Sequence, residues 1–162
     1  METIDRIGRD EIALERLGGL MASIGWLFFH WSALETTLVD EVRRLRIAGG
    51  DTGNTLVRIR GTLSERLAEW RALISLRSRG DRQLAQAVAD LSTQIERLQR
   101  LRNLIAQNFA GASDEDQPVL FCADKNLSPP TAEAKRFTLS EMEALIDDVR
   151  ACRDRLLEFG QS

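Results

Sequence analysis

The segment over residues 17–45 decides the fold, and it reads LGGLMASIGWLFFHWSALETTLVDEVRRL. One set of apolar residues recurs in it at alternating spacings of three and four, as on one face of an α-helix. This set comprises Leu17, Leu20, Ile24, Leu27, Trp31, Leu34, Leu38, Val42 and Leu45. A second apolar set lies on another side of the helix and comprises Ala22, Trp26, Phe29 and Ala33. Because a helix that is apolar on two sides is buried on both, the segment predicts either a central helix or a dimer surface.

Three more helices are predicted downstream. The motif Thr-Leu-Ser-Glu occurs over residues 62–65 and again over residues 138–141. Its spacing is that of a capping box, in which the Thr and Glu side chains each accept a hydrogen bond from an otherwise unsatisfied backbone N–H. Asp81 is a predicted N-cap, and the apolar stripe that follows it continues to Phe109 before Gly111 ends the helix. The chain therefore contains at least four predicted helices.

Residues 111–137 differ from the rest of the chain. All three prolines lie in this stretch and forbid a long helix there. Residues 119–121 predict a short strand that pairs with residues 135–137 in a hairpin, whereas residues 51–61 fit either the start of a helix or a short packed segment. The sequence over residues 1–162 thus predicts a single all-α domain, an antiparallel bundle of four or five helices with a small hairpin or loop excursion before the last helix.

The composition is that of an ordinary soluble globular protein, with 43% hydrophobic residues, 29% charged residues and a net charge of −3. The longest uninterrupted apolar run, residues 24–29, is far shorter than the ~18 residues of a membrane span. The N-terminal residues are polar and predict no signal peptide. Cys122 and Cys152 form no CxxC pair. Together these features predict a cytoplasmic protein with reduced thiols and no membrane association.

Positive charge is concentrated in the middle of the chain. Residues 41–110 contain 13 arginines and no lysine, against seven acidic residues. Such asymmetry indicates an anionic partner, and the planar guanidinium suits phosphate better than the point charge of a lysine. The alternative is an ordinary solvated helix surface in an arginine-rich chain, since the protein as a whole is acidic.

The most informative stretch is residues 102–109, Arg-Asn-Leu-Ile-Ala-Gln-Asn-Phe. Arg102 falls on the apolar stripe of its helix, where a buried guanidinium requires a partner. Glu35 is the best candidate acid, because it lies next to Leu34 and Leu38 on the apolar face of the first helix. A Glu35–Arg102 ion pair is therefore expected, and it fits either a structural or a functional role.

This pattern resembles the HEPN superfamily (higher eukaryotes and prokaryotes nucleotide-binding), whose members are small helical proteins that include metal-independent endoribonucleases and toxins. The family motif is Arg, four to six residues, then His, and one branch extends it to Arg-x4-His-x-Tyr. Arg102 and Asn103 match the motif, and the resemblance extends over about 130 residues through three further segments. These segments are Trp31–Glu35, Arg66–Leu67 and Phe137–Leu139.

The sequence departs from the family motif at its two other functional positions. Gln107 replaces the histidine and Phe109 replaces the tyrosine. Glutamine reaches as far as histidine and forms hydrogen bonds, but it cannot act as a general acid or base, a role whose loss costs about 10²–10⁴ in rate. The resemblance thus implies a homodimer that binds RNA or nucleotide phosphate through Arg102, Asn103 and Gln107 but is catalytically weak or inactive.

Other residues offer little alternative chemistry. His30 lies in an aromatic run on the first helix, where a histidine is usually a packed side chain, although it is the one histidine that could substitute for the missing base. Acidic residues lack partner ligands at helical spacing, so neither a metal site nor a cofactor is predicted. The competing hypothesis is a non-enzymatic helical dimer that acts as an interaction module, for example with a protein partner in a toxin–antitoxin-like or regulatory complex.

Overall fold

The computed structural model describes residues 2–50, 61–78, 80–113, 119–122 and 135–161. Within these ranges the chain forms four helices and three strands. The helices are α1 (Glu2–Ala48), α2 (Leu63–Arg77), α3 (Arg82–Asn108) and α4 (Leu139–Gln161). The strands are β1 (Phe109–Ser113), β2 (Val119–Cys122) and β3 (Lys135–Thr138). The predicted fold class, all-α with a small β excursion before the last helix, is confirmed, whereas the uncertain residues 51–60 lie outside the described ranges.

The three strands form one antiparallel sheet in the order β1-β2-β3. The predicted hairpin between β2 and β3 is confirmed, and its register pairs Leu120 with Phe137 and Cys122 with Lys135. The prediction that α3 continues to Phe109 and ends at Gly111 is wrong. The helix ends at Asn108, and the residues that follow form β1, in which Phe109 pairs with Cys122 across a local irregularity. The backbone hydrogen bonds between β1 and β2 form only in the folded chain, because the two strands are separated in sequence. At the end of α3 these bonds outweigh the local preference for a helix.

Helix α1 buries one face and exposes another. The predicted apolar stripe is buried at seven positions and half-buried at Leu17 and Ile24; the buried residues are Leu20, Leu27, Trp31, Leu34, Leu38, Val42 and Leu45. Of the second apolar set, Trp26 is 57% exposed and Phe29 is 62% exposed. The central-helix alternative is therefore wrong for this second face, and the dimer-surface alternative stays a prediction.

Part of α1 also has the length and composition of a membrane-spanning helix. The segment Leu17–Ala48 is long and apolar enough to cross a membrane by length and composition, a property that core helices of soluble proteins share. The charged and polar residues that interrupt its apolar runs explain why the sequence pattern predicted no span. The structure is compatible with a soluble protein, and the absence of membrane association remains a prediction.

The chain divides into two compact units. Unit 1 consists of Met1–Phe29 and Gln99–Asp147, and unit 2 consists of His30–Leu98 and Asp148–Ser162. Helices α1, α3 and α4 contribute residues to both units, so the boundary between the units lies within helices and not in a linker. This division does not test the prediction of a single domain.

Each unit has its own apolar core. In unit 1 the core side chains come from helices and from the sheet; they are Leu20, Leu27, Ile105, Leu120, Phe137, Met142 and Leu145. In unit 2 the ring of Trp70 on α2 contacts the ring of Phe159 on α4 edge-on, with 5.6 Å between centroids. A charged pair between Arg97 and Asp148, with 3.1 Å between Nη2 and Oδ2, also joins α3 to α4 in this unit.

Candidate functional site

Arg102 lies in the last two turns of α3, in unit 1, and is half-buried. Its guanidinium carbon is 4.8 Å from the centroid of the Phe28 ring, which places the cation over the aromatic face. Its Nη1 donates a hydrogen bond of 3.1 Å to Oδ1 of Asn103. Both contacts hold the planar group in one orientation, because cation–π attraction favours the ring face and the amide oxygen fixes one corner of the guanidinium.

The hydrogen-bonding capacity of Arg102 is incompletely used. Its Nε is buried and has no hydrogen-bond partner, and among the described residues of unit 1 no carboxylate pairs with its guanidinium. Several arginines of unit 2 differ in this respect: Arg44 pairs with Glu41, Arg46 with Glu69 and Arg97 with Asp148. Since an unpaired, partly buried charge is costly, an anion that binds at Arg102 would lower the energy of this site.

The other two predicted site residues lie on the same helix. Asn103 is half-buried and accepts the hydrogen bond from Arg102, whereas Gln107 is exposed. The two are four residues apart, so their side chains emerge on one face of α3. The structure thus brings Arg102 and Asn103 into contact and leaves the Gln107 amide in solvent near the same helix end.

The sequence pattern placed Phe109 on the helix, but in the structure it is the first residue of β1. The end of α3 at Asn108 separates it from the face that carries Asn103 and Gln107. Its side chain lies outside the described residues, so the prediction about the aromatic ring at this position is neither confirmed nor contradicted.

Glu35 has a partner that the sequence reasoning missed. Its Oε1 accepts a hydrogen bond of 3.0 Å from Nε1 of Trp31, one helical turn earlier. Trp31 is buried, and a buried indole N–H requires an acceptor, so the i, i+4 spacing of the two residues was a usable signal. Glu35 belongs to unit 2 and Arg102 to unit 1, and the ion pair between them stays a prediction.

A second arginine of the family-like pattern also has an unsatisfied group. Arg66, on α2 in unit 2, is half-buried, and its Nε is buried without a hydrogen-bond partner. The sequence had singled it out only as part of a spacing pattern. The Nε of Arg66 could therefore donate a hydrogen bond to a ligand, but the structure indicates no ligand for it.

The other reactive side chains of the described residues are one histidine and two cysteines. His30 is half-buried on α1, and no cluster of three or more metal-ligating side chains is found in the part of the chain that the structure describes. Both cysteines are buried and carry free thiols. Burial raises the pKa of Cys152 to about 11, although the nearby Arg155 opposes this, so its thiol is protonated and weakly nucleophilic at neutral pH.

Comparison with protein families, with curated proteins and with solved structures finds no match to this chain.

Proposed function

We propose that this protein is a homodimeric, HEPN-like RNA-binding protein of the cytoplasm with a degenerate ribonuclease site. Arg102 and Asn103 contact the RNA phosphate, and Gln107 adds hydrogen bonds without supplying acid–base catalysis. The observation that carries the proposal is the guanidinium of Arg102, which is held over Phe28 and bonded to Asn103 but lacks a carboxylate among the described residues of unit 1.

Phosphate suits this arginine for geometric reasons. Two phosphate oxygens accept parallel N–H bonds from a guanidinium, and such charge-assisted bonds are stronger than neutral ones. The stacking on Phe28 reduces the entropy lost on binding, because the side chain is already oriented. Asn103 supports the same geometry by its bond to Nη1 and keeps its amide N–H groups as further donors.

The impaired catalysis follows from the residue at position 107. Cleavage of RNA through its 2′-hydroxyl requires a group that accepts a proton near neutral pH, and an amide has no useful pKa for that purpose. Glutamine still donates and accepts hydrogen bonds, so the substitution removes proton transfer and leaves RNA binding possible.

The experiment is a titration of single-stranded RNA with wild-type protein and three variants, followed by fluorescence anisotropy at low and moderate salt. Arg102→Gln is expected to weaken binding about 10-fold or more, because a hydrogen bond to a charged group contributes ~1.5–3 kcal/mol. Arg102→Lys keeps the charge but loses the fork, so an intermediate loss is expected. Circular dichroism checks that each variant is folded.

Arg100→Gln is the matched control. Arg100 is an exposed arginine of the same helix, two residues away, and its removal changes the net charge by the same amount. It is expected to weaken binding by no more than about 2–3-fold, as for one screened surface charge. Equal losses for Arg100→Gln and Arg102→Gln, or wild-type protein that binds no RNA even at low salt, would contradict the proposal.

The second candidate function is a non-enzymatic dimer that binds a protein partner. It is favoured by the exposed apolar side chains of Met21, Trp26 and Phe29 on α1, which resemble the centre of a protein interface more than an RNA-binding surface. A stable dimer with no affinity for RNA at low salt would support this candidate over the first.

A further inference from the structure

A cavity of about 470 Å³ lies in unit 2, and all four helices contribute to its lining. Its walls come from the C-terminal ends of α1, α2 and α4 and from the first turn of α3. Cavities that hold small molecules in other proteins span about 300–1,000 Å³, so this one has room for a small organic ligand. None of its lining residues belongs to the Arg102 site.

One wall of the cavity is apolar and firmly packed. It is formed by Leu45, Ile74, Leu84 and Phe159. Leu45 and Ile74 are buried, and the Phe159 ring is held by its edge-on contact with the fully buried Trp70. Because Leu45, Ile74 and Phe159 are held by packing, their side chains lose little conformational entropy when an apolar ligand binds against them.

The polar side of the cavity carries two guanidinium groups with unused donors. Arg44 donates to Glu41 through Nε and Nη2, which leaves its Nη1 without a partner among the described residues. Arg77 is exposed in the last turn of α2, and its side chain forms no hydrogen bond or ion pair with any described residue. The dipole of α2 favours a cation at this end of the helix. This interaction leaves the N–H donors of Arg77 free to form hydrogen bonds.

The other polar lining groups are already engaged. Oγ of Ser78 donates to the carbonyl oxygen of Ile74, and Oδ1 of Asp81 accepts from the backbone N–H of Leu84 at the start of α3. The Asp81 carboxylate is thus committed to capping the helix, and its charge faces the positive end of the α3 dipole. The unused hydrogen-bonding capacity of the lining therefore lies mainly with the donors of Arg44 and Arg77.

We propose that this cavity binds an amphipathic organic carboxylate, with its apolar body against Leu84 and Phe159 and its carboxylate bonded to Arg77 and Arg44. A bidentate guanidinium–carboxylate contact satisfies the free donors of Arg77. The apolar body covers side chains that would otherwise face water. Arg77 determines the charge preference, and the packed wall determines the size of the ligand.

The test uses the 162-residue protein with octanoate and, as an uncharged counterpart, octanol. Calorimetry or ligand-observed NMR is expected to give a Kd of ~0.1–1 mM for octanoate, as for a ligand of about ten heavy atoms with ordinary efficiency. Binding of octanol is expected to be about 10-fold weaker, because it lacks the charged group.

Two variants and a control locate the site. Arg77→Gln is expected to weaken octanoate about 10-fold and leave octanol unchanged, whereas Leu84→Trp fills the cavity and is expected to abolish binding of both. Arg71→Gln removes an exposed charge on α2 that does not line the cavity, and it is expected to bind octanoate as the wild type does. Far-ultraviolet circular dichroism and the melting temperature show whether each variant is folded.

Three results would overturn the proposal. They are wild-type protein that does not bind octanoate at millimolar concentration, equal affinity for octanoate and octanol, and an equal loss of octanoate binding in Arg71→Gln and Arg77→Gln. If Leu84→Trp is unfolded, the contrast between Arg77→Gln and Arg71→Gln still decides the question. RNA binding does not enter any of these measurements, so the result is independent of the function proposed for Arg102.

Discussion

Gln107 is exposed one turn after Asn103, on the helix face that also carries the contact to Arg102. An imidazole at this position would have about the same reach as the amide and a pKa near neutrality. The position is therefore open to a substitution that would supply the proton transfer of the proposed ribonuclease site without disturbing a packed side chain.

We predict that Gln107→His confers or raises RNA cleavage, by about 10²-fold or more over wild type if general-base catalysis is restored. The measurement is cleavage of labelled RNA in the presence of a chelator, with Gln107→Ala as the control for loss of the amide. The double variant Arg102→Gln/Gln107→His is expected to be inactive. A folded, dimeric Gln107→His protein that cleaves none of the RNAs tested would remove the ribonuclease interpretation of this site.

Cys152 is fully buried on α4. Burial raises the pKa of its thiol to about 11 from an ordinary value of 9.0, with opposing contributions from nearby Arg155 and Arg97 and a reinforcing one from Asp148. Burial also raises the pKa of Cys122, and Lys135 opposes this. The protein has no tyrosine, so thiolate absorbance can be followed without overlap from tyrosinate.

We predict that the protein loses stability in alkali as these thiols ionise. The unfolded chain releases the Cys152 proton near pH 9 and the folded chain only near pH 11, so this contribution is complete below pH 9 and is lost as the pH rises to about 11. For Cys152 the loss is on the order of 2 kcal/mol. Urea unfolding between pH 8 and 11 measures it, and Cys152→Ala is expected to show a smaller decline; an identical decline would contradict the prediction.

Helices α2 and α4 begin with the capping boxes that the sequence predicted. In the first, the backbone N–H of Thr62 donates to Oε2 of Glu65 at 2.6 Å, and the N–H of Glu65 donates to Oγ1 of Thr62 at 3.3 Å. Thr138 and Glu141 form the same reciprocal pair before α4. The backbone bond from Thr62, followed by the bond from its hydroxyl, lowers the pKa of Glu65.

We predict that Thr62→Ala lowers the free energy of unfolding by about 1 kcal/mol, the usual cost of losing an N-cap side chain. Thr93→Ala is the matched control, because Thr93 is exposed within α3 and its hydroxyl bonds only to the carbonyl oxygen of Ala89. That change is expected to be neutral or slightly stabilising, since alanine has the higher helix propensity. Urea unfolding at neutral pH compares the two.

Acid provides a second measurement for the same element. Because the folded pKa of Glu65 is lowered, its stabilising effect is present above the unfolded pKa and is lost as the pH falls through the folded value. Thr62→Ala is therefore expected to reduce the acid dependence of stability. Equal losses of stability in Thr62→Ala and Thr93→Ala would mean that the box contributes nothing.

The end of α3 differs from the sequence prediction. The alternating stripe predicted helix through Phe109, and the chain instead enters β1 after Asn108. Hydrophobic period and capping are local signals, whereas the pairing of Phe109 with Cys122 joins residues far apart in sequence. The β2–β3 hairpin was predictable because both of its strands carry β-branched or aromatic residues. After Phe109, β1 consists of Ala, Gly and Ser, which have low strand propensity or none in particular.

At the scale of the whole molecule, the exposed side chains of Trp26 and Phe29 are the main evidence for assembly. Their rings contact each other edge-on, with 5.7 Å between centroids, and Met21 is a further exposed apolar residue of α1. Exposed aromatic and methionine side chains are typical of protein interfaces. For Trp26 and Phe29 the sequence predicted either a central helix or a dimer surface.

We predict that the wild-type protein is a dimer without detergent and that Trp26→Glu is a monomer, because a buried unpaired carboxylate at the interface is strongly unfavourable. Light scattering coupled to gel filtration measures both. Leu76→Glu is the control, since Leu76 is also an exposed apolar residue, 65% exposed, but belongs to unit 2 and not to unit 1, where Trp26 and Phe29 lie; this variant is expected to remain dimeric. A monomeric wild-type protein, or a Trp26→Glu variant that is still a dimer, would place the interface elsewhere or exclude it.

The sequence by itself determined that four helices form, where both capping boxes lie and that β2 pairs with β3. All of these depend on spacings within a few residues or on strong strand and turn preferences. The choice of Arg102 and Asn103 as site residues came from the position of Arg102 on an apolar stripe and from a family resemblance, and it stays a prediction. Only the tertiary structure decided that Arg102 lies over Phe28, that β1 completes the sheet, and that Arg44 and Arg77 share a cavity. These features depend on side chains and strands far apart in the sequence, and no local periodicity encodes which of them will meet.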